Sequence, residues 1–535
     1  MATLTTPTEE IKAILSPARR AATGSAGWLR DHWVSLALMV PVLALTAFVH
    51  LKGSANFPRY TDDPGTYLSQ AWSVVYEHRL SPYSYFYDHA PGGWLQIAAW
   101  AAPTRGFDRY DSALAFGTEC MLLAKLASTG LLYLLARRIG LSRAGGVAAA
   151  ALFGLTPLGV VYGRWVFLDN LVTPWLIGAF ALAYAPKRSI GAATGASAAF
   201  AMAVVTKETT LILLPAFVWA MAQNLDRRNR TQVVTVSAFT GMILLLLYPL
   251  YALYKGELFA GQGHTSLLGT AAWQLSGREG SGTIADAGSA ARHLLESWLV
   301  LDRLVLLGGL VALPFALCVR RLRPVALALL LGWFVLLRGG YVPAMHVIVL
   351  LPFSALLIPA ALEAIAGTPA LVERGVFRVR PLGIWGIDGR RRVAAVLGAA
   401  LLAFAAVTWT PSIRDMIGPN PTPPLRSALN WTVEHVPPGK VLVVHDSLWV
   451  DLVQKHHYEP RPIIAHKLDS DPSVKTAVDR IDYLIVPNWY YRSELGDIPT
   501  LGAARQHATV VASFGSGDDG VRVYRVDPKW RPAGL

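Results

Sequence analysis

Apolar and polar positions alternate on two length scales along this chain. Apolar runs at 33–51, 112–136, 144–162, 167–185, 191–206, 209–223, 232–254, 298–318, 324–340, 342–366 and 393–410 are separated by short polar segments. Most are long enough to cross a hydrocarbon core of about 30 Å as a helix. The runs at 167–185 and 191–206 are short or rich in small residues, so the count of eleven is good to one or two. Beyond 410 the scale shortens. A stiff "GPNPTPP" linker leads to "KVLVVH" (440–445) and "DYLIVP" (482–487), which read as buried strands. Each follows an amphipathic stretch, "SALNWTVEHV" or "SVKTAVDR", and "ATVVASF" and "GVRVYRV" flank a "GSGDDG" turn as a terminal hairpin. The pattern predicts a polytopic α-helical membrane protein of about eleven transmembrane helices over 33–410, a polar leader over 1–32, and a soluble α/β domain over 411–535.

Composition narrows this further. With 53% hydrophobic and 16% charged residues among 535, a single water-soluble globule is excluded. So is a disordered chain, because 17 Trp, 19 Tyr and 18 Phe accompany that low charge. The formal charge of +13 comes from 48 basic against 35 acidic residues. The basic residues fall between apolar runs, so membrane topology accounts for them and no nucleic-acid partner is expected. Alternate connections are dense in Lys and Arg, as cytoplasmic loops are. This puts the N-terminus in the cytoplasm of a plasma (inner) membrane protein and, with an odd number of crossings, the C-terminal domain outside. No small-residue cleavage pattern follows the first run, which reads as an uncleaved membrane helix. Cys120 and Cys318 lie in apolar stretches and act as small hydrophobes. There is no internal repeat and no Gly-rich phosphate loop.

Ionisable residues at a bilayer boundary are costly, and they collect on the outer face here. The first outer loop, 52–111, carries "RYTDDPGTY" (Arg59, Asp62, Asp63, Tyr67) and "YDHAPGGWLQ" (Asp88, His89). "GRWVFLDN" supplies Arg164 and Asp169, "TKETT" supplies Lys207 and Glu208, and "RGGYVPAMH" supplies Arg338, Tyr341 and His346. Taken singly, each has a plainer reading. Arg164 and Asp169 could be an ion pair tying two helices, Lys207 and Glu208 an interfacial turn with a snorkelling lysine, His346 a packed histidine, and Asp62 and Asp63 a helix cap. Those readings give no reason for five connections to share one face. Glu119 and Lys125 depart from the pattern and read as internal packing or pairing. Histidines 445, 456, 457 and 466 with Asp446 and Asp451 show no tight ligand spacing, so no metal is expected in the tail.

A carboxylate beside several cations at that boundary suits transfer of a group from an anionic lipid carrier. Arg and Lys stabilise charge growing on a phosphate leaving group, and the carboxylate takes the acceptor's proton. The motifs resemble those of the multi-helix GT-C glycosyltransferases, close to the protein O-mannosyltransferase and aminoarabinose transferase group, over about residues 33–360. They occur in the family's order as "DDPGTY", "DHAPGG", "GRWVFLD", "TKETTLILLP" and "YVPAMHVIVLLP". This chain has Asp-Asp where Asp-Glu is common in the family, and His89 where Lys is usual.

The resemblance implies an inverting transferase that moves a sugar from a polyprenyl-phosphate donor, entering sideways between helices, to an acceptor hydroxyl or amine of a protein, glycan or lipid outside the cytoplasm. It implies Asp63 as general base, with Asp62 as second choice or tuning partner, and Lys207, Arg164, Arg338 and His89 on the donor phosphate. Asp169, Tyr67, Glu208, Tyr341 and His346 are supporting residues, with Asp169 orienting Arg164 or an acceptor group. No cofactor is required, and a divalent metal stays an open alternative. The outer loop 255–297, with "GQGHTS" and "GREGSGT", is either a cover over the site or plain linker. Two other classes compete. A flippase for a lipid-linked sugar needs cations near phosphate but also midplane polar residues and broken helices in matched halves; a non-catalytic envelope assembly subunit would use the tail to bind a partner.

Overall fold

The computed structural model describes residues 32–54, 62–226, 228–261, 264–367, 387–418, 423–475, 480–491 and 498–531. Arg59 lies outside them. A long helix α1 (His32–Leu51) is followed by two helices of the first outer loop, α2 (Pro64–Glu77) and α3 (Gly92–Thr104), and a single turn α4 (Gly106–Arg109). The chain continues through α5 (Ala113–Ile139), α6 (Arg143–Leu155), α7 (Pro157–Arg164), α8 (Leu168–Ala183), α9 (Ile190–Thr206), α10 (Leu214–Gln223) and α11 (Arg230–Tyr254). After a short α12 (Leu267–Ala272) come α13 (Ala290–Leu301), α14 (Arg303–Cys318), α15 (Arg323–Leu337), α16 (Val347–Ala366) and α17 (Ile387–Ile417). By length and composition, five helices can cross a membrane, and two bent pairs raise this to seven. Four shorter apolar helices, Leu168–Ala183, Ile190–Thr206, Glu208–Gln223 and Arg323–Leu337, account for the remaining apolar runs.

Two runs that read as continuous helices are broken. The run at 144–162 bends by 54° where α6 meets α7, because Pro157 lacks the N–H that would continue the ladder. The run at 298–318 turns by 106° at Asp302. That side chain caps α14, accepting from the N–H groups of Leu304 (2.8 Å) and Val305 (3.1 Å), and it also accepts from Thr156 and Trp409. Asp302→Ala strips four donors of their partner, two of them at a helix N-terminus. The expected loss is about 2–4 kcal/mol, visible as a lower unfolding midpoint in detergent, with Asp302→Asn retaining most of the stability.

The C-terminal part is α/β: helix α18 (Pro424–His435), strands β1 (Leu442–Val444), β2 (Ile463–Ile464), β3 (Tyr483–Pro487), β4 (Ala508–Phe514) and β5 (Val521–Val526), with α19 (Asp446–Val450), α20 (Pro472–Lys475) and α21 (Pro499–Gln506) between them. The sheet order is β2-β1-β3-β5-β4, parallel from β2 to β3 and antiparallel from β3 to β4. Both sequence-read strands and the terminal hairpin are present; β2, only two residues long, left no periodic signal.

This unit shares an apolar core with the first outer loop. Tyr67, Leu68, Ala71 and Trp72 of α2 pack with Leu448 and Trp449 of α19, the two indole rings meeting edge-on at 5.4 Å. Gly65, in the first turn of α2, lies against the backbone of Asp446 and Ser447, with no room for a Cβ. Gly65→Ala therefore has to part α2 from α19, since neither side can yield a flexible side chain. Faster proteolytic release of the C-terminal unit, at unchanged expression, is the expected result.

Candidate functional site

Asp63 precedes α2 with φ 76° and ψ −51°, a backbone conformation rarely adopted by any residue with a Cβ. Such strain costs about 1–3 kcal/mol and persists where surrounding contacts fix it. Here Pro64 locks the first helical residue, and the Asp63 carbonyl accepts the Tyr67 N–H at 2.9 Å. The carboxylate lies within electrostatic reach of His89, Asp62, Lys207 and Asp446. Burial first, and then the two neighbouring carboxylates, push its pKa up to about 6, against the pull of His89 and Lys207. It is thus ionised at neutral pH, yet more basic than a solvated aspartate.

The α9 helix ends at Thr206, and the chain turns directly into a 3₁₀ segment, Glu208–Leu213, ahead of α10. Lys207 is held in this break. Its ammonium pairs with Asp169 of α8 at 2.5 Å, both side chains 4% exposed. Glu208 points the other way, accepting from the Ala90 N–H and meeting His89 Nδ1 at 3.3 Å. For His89, burial lowers the pKa, but the bond to Glu208 and that residue's charge outweigh it, leaving it above the usual value. The Tyr67 and His89 rings lie 6.2 Å apart. His346 is buried, bonded through Nε2 to the Gly332 carbonyl at 2.9 Å, and within electrostatic reach of Asp169, Lys207 and Arg338. Arg338 itself is exposed, with one long contact to the Tyr341 carbonyl at 3.4 Å.

Residues from all five sequence clusters therefore converge: Asp62, Asp63 and Tyr67; His89; Asp169; Lys207 and Glu208; and His346 with Arg338 alongside. Arg164 is a correction. Its guanidinium, 2% exposed, bonds the carbonyls of Val49, Lys52 (2.8 Å) and Met416 (3.0 Å). These are unpaired groups at the C-terminal ends of α1 and α17, which a cation satisfies well. Arg164 thus ties helices rather than facing the cluster, and Asp169 pairs with Lys207 instead of orienting Arg164. Tyr341 also stands aside, covered by the Arg278 guanidinium 3.4 Å from its ring centre. Glu119 is paired with Arg109 at 2.8 Å, and Lys125 lies over the Phe153 ring.

Two groups of residues were missed. One is His445 with Asp446, at the junction of β1 and α19, which reach Asp62 and Asp63 from the far end of the chain. The other is in the outer loop, which is no plain linker. Glu257 accepts from the Tyr87 hydroxyl at 2.5 Å, Thr265 and Thr270 bond the carbonyls of Tyr85 and Phe86, and Ser281 joins Gly340. The loop thus bridges the first outer loop to the Arg338–Tyr341 corner, bringing Arg278 with it. No short-range motif marks either group, since their partners are distant in sequence.

The fold is shared with solved GT-C glycosyltransferases. Residues 117–251 match the dolichyl-phosphate-mannose-protein mannosyltransferase family. ArnT from Cupriavidus metallidurans bound to undecaprenyl phosphate superposes with a TM-score of 0.54 at 14% identity, over 92% of this chain and 98% of that one. The Archaeoglobus fulgidus oligosaccharyltransferase AglB, in complex with an inhibitory peptide and a dolichol-phosphate, gives 0.55 at 13% identity over 95% and 76%; its apo form gives 0.56 at 12%. No curated protein matches the chain in sequence. The resemblance noted in the motifs therefore holds at the level of fold: the chain is similar to GT-C mannosyltransferases and aminoarabinose transferases.

Proposed function

We propose that the chain is an inverting glycosyltransferase that moves a sugar from a polyprenyl-phosphate donor to an acceptor hydroxyl or amine outside the cytoplasm. The observation that carries this reading is the meeting of the first outer loop with the α8 and α9 ends, where Glu208 bonds His89 and the Ala90 N–H beside the Lys207–Asp169 pair, within electrostatic reach of Asp63. Support also comes from the fold, whose solved representatives include complexes with undecaprenyl phosphate and dolichol-phosphate. The topology goes with it: eleven crossings, if each bent pair and each shorter apolar helix is one, with a cytoplasmic N-terminus and the α/β unit outside. The matched broken halves expected of a flippase are not what the two bends provide. They fall at unrelated positions, one at Pro157 and one at Asp302.

In this mechanism Lys207, His89 and Arg338 hold the donor phosphate. Lys207 uses one of its three N–H groups on Asp169, leaving others for a phosphate oxygen. The acceptor attacks the anomeric carbon from the face opposite the phosphate while Asp63 takes its proton. The carbon–oxygen bond to phosphate breaks, and the leaving group gains a second negative charge beside the cations. The loop across 255–297 roofs the site and limits water. The test is direct: purified protein given radiolabelled polyprenyl-phosphate sugars and candidate acceptors should transfer label with inversion. Donor binding with no transfer to any hydroxyl or amine would sink the reading.

A pH dependence follows from His89. Its raised pKa carries the cationic form to higher pH than in a solvated imidazole, so its hold on the phosphate is present on the acidic side and is lost as pH rises through the raised value. The donor is a phosphodiester and does not titrate there. The donor KM should therefore climb on the alkaline side, and His89→Gln should raise KM and flatten that climb.

A further inference from the structure

We propose that His445, in the turn from β1 to α19, is a positioning residue for the transfer: its Nε2–H holds Asp62, which leaves the adjoining Asp63 as the carboxylate that takes the acceptor's proton. The inference rests on the transferase reading above and gives the C-terminal unit a part in it. Nε2 lies 3.3 Å from Asp62 Oδ1, and the ring is 0% exposed. Nδ1 accepts the Ser447 N–H at 3.3 Å, which puts the ring proton on Nε2. The contact from Nδ1 to Asp446 Oδ1, 3.0 Å, takes a second proton, carried by the ring or by the carboxyl. In both forms Nε2 keeps its N–H. The reverse tautomer sets a lone pair against an ionised carboxylate, which can only accept.

The imidazole is fixed on every side. His445 directly follows β1, the middle one of the three parallel strands, whose residues Leu442–Val444 are all buried. Trp489 and Tyr490, at the end of β3, stand edge-on to the ring, each 5.8 Å from its centre. From the first outer loop, Thr66 holds Asp446 Oδ2 with its N–H at 2.8 Å and its hydroxyl at 3.0 Å. The glycine at 65 brings the two backbones into contact there. A side chain locked by packing and by an outer shell of hydrogen bonds places its own N–H reproducibly. Holding one N–H on Asp62 is what this arrangement does.

The consequence lies in how two adjacent aspartates divide their work. Carboxylates this close compete for one proton, and the one with an ion-pair partner stays ionised. Asp62 has that partner in His445. Asp63 is governed by burial and by surrounding charge, and its pKa is pushed up to about 6. Two like groups with unlike surroundings mark separate roles, one a fixed charge and the other a base. Spacing along the chain could not show this, because the imidazole and the aspartate it holds come from opposite ends of the sequence.

The test begins with transfer by the wild type; a purified protein that transfers nothing takes the reaction and this inference down together. With transfer present, His445→Leu should lower kcat by about 10–100-fold and leave the donor KM unchanged. It should also move the acid limb of kcat to higher pH, because Asp62 without its donor competes with Asp63 for a proton. The other charged groups in reach of Asp63 are His89, Lys207 and Asp446, with His466 beyond the imidazole. His445→Gln, whose amide N–H can take the place of Nε2–H, should recover most of the rate and the wild-type limb. Should His445→Leu fail to fold, Asp62→Asn combined with it leaves no unpaired charge at position 62, and this double variant should be no slower than Asp62→Asn alone. An unmoved acid limb in folded His445→Leu, or losses that multiply in the double variant, overturns the inference and leaves the transferase reading standing.

Discussion

Asp63→Asn is expected to lower kcat by at least about 10²-fold, the usual worth of a positioned general base, while leaving donor affinity within a factor of two or three. The amide keeps the size of the side chain and, like aspartate, tolerates positive φ, so the strained turn ahead of α2 survives. What disappears is an acceptor basic enough to take a proton as the acceptor oxygen bonds to the sugar. Asp63→Gly separates chemistry from structure. Glycine relieves the strain at φ 76°, so this variant should unfold at the same temperature as wild type or higher and still be inactive. A gain of stability with loss of activity is the signature of a residue held in place for function. If either variant keeps wild-type turnover, Asp63 is not the base; Asp62→Asn then becomes the informative substitution.

The sequence carried the parts of this site that depend on local economy and lost those that depend on distant packing. Asp63, His89 and Lys207 stood out because charges at a membrane boundary need a reason, and each of the five outer clusters does send at least one residue to the site. Arg164 stood out for the same cause and misled. A guanidinium that satisfies the carbonyl ends of two helices and one that waits for a phosphate look alike along the chain, since the difference lies in which helix ends pack nearby. The partner of Asp169 could not be read either: Arg164 is five residues away and Lys207 thirty-eight, and proximity in sequence favoured the wrong one. Helix breaks were hidden by hydropathy, which is blind to a 106° turn so long as the flanking residues are apolar. His445 and Asp446 looked like ordinary tail residues because their meaning comes from α2, to which Gly65 allows close approach.

The Lys207–Asp169 pair should show the largest stability effect in the molecule. Both side chains are 4% exposed and 2.5 Å apart, so removing one strands the other as an uncompensated buried charge at a cost of about 3–5 kcal/mol. Lys207→Met should accordingly lower the unfolding midpoint sharply and abolish transfer. That result alone cannot tell a phosphate ligand from a structural strut. The double substitution Lys207→Met with Asp169→Leu can. It removes both charges, leaves no stranded ion, and should recover most of the lost stability, because a buried ion pair is often no better than apolar packing of similar volume. If Lys207 holds the donor phosphate, the recovered fold still cannot bind donor, and KM for the lipid should remain raised by at least tenfold. A double variant that is both stable and fully active would show that the pair only fastens α8 to the end of α9, and would leave His89 and Arg338 alone to meet the leaving phosphate.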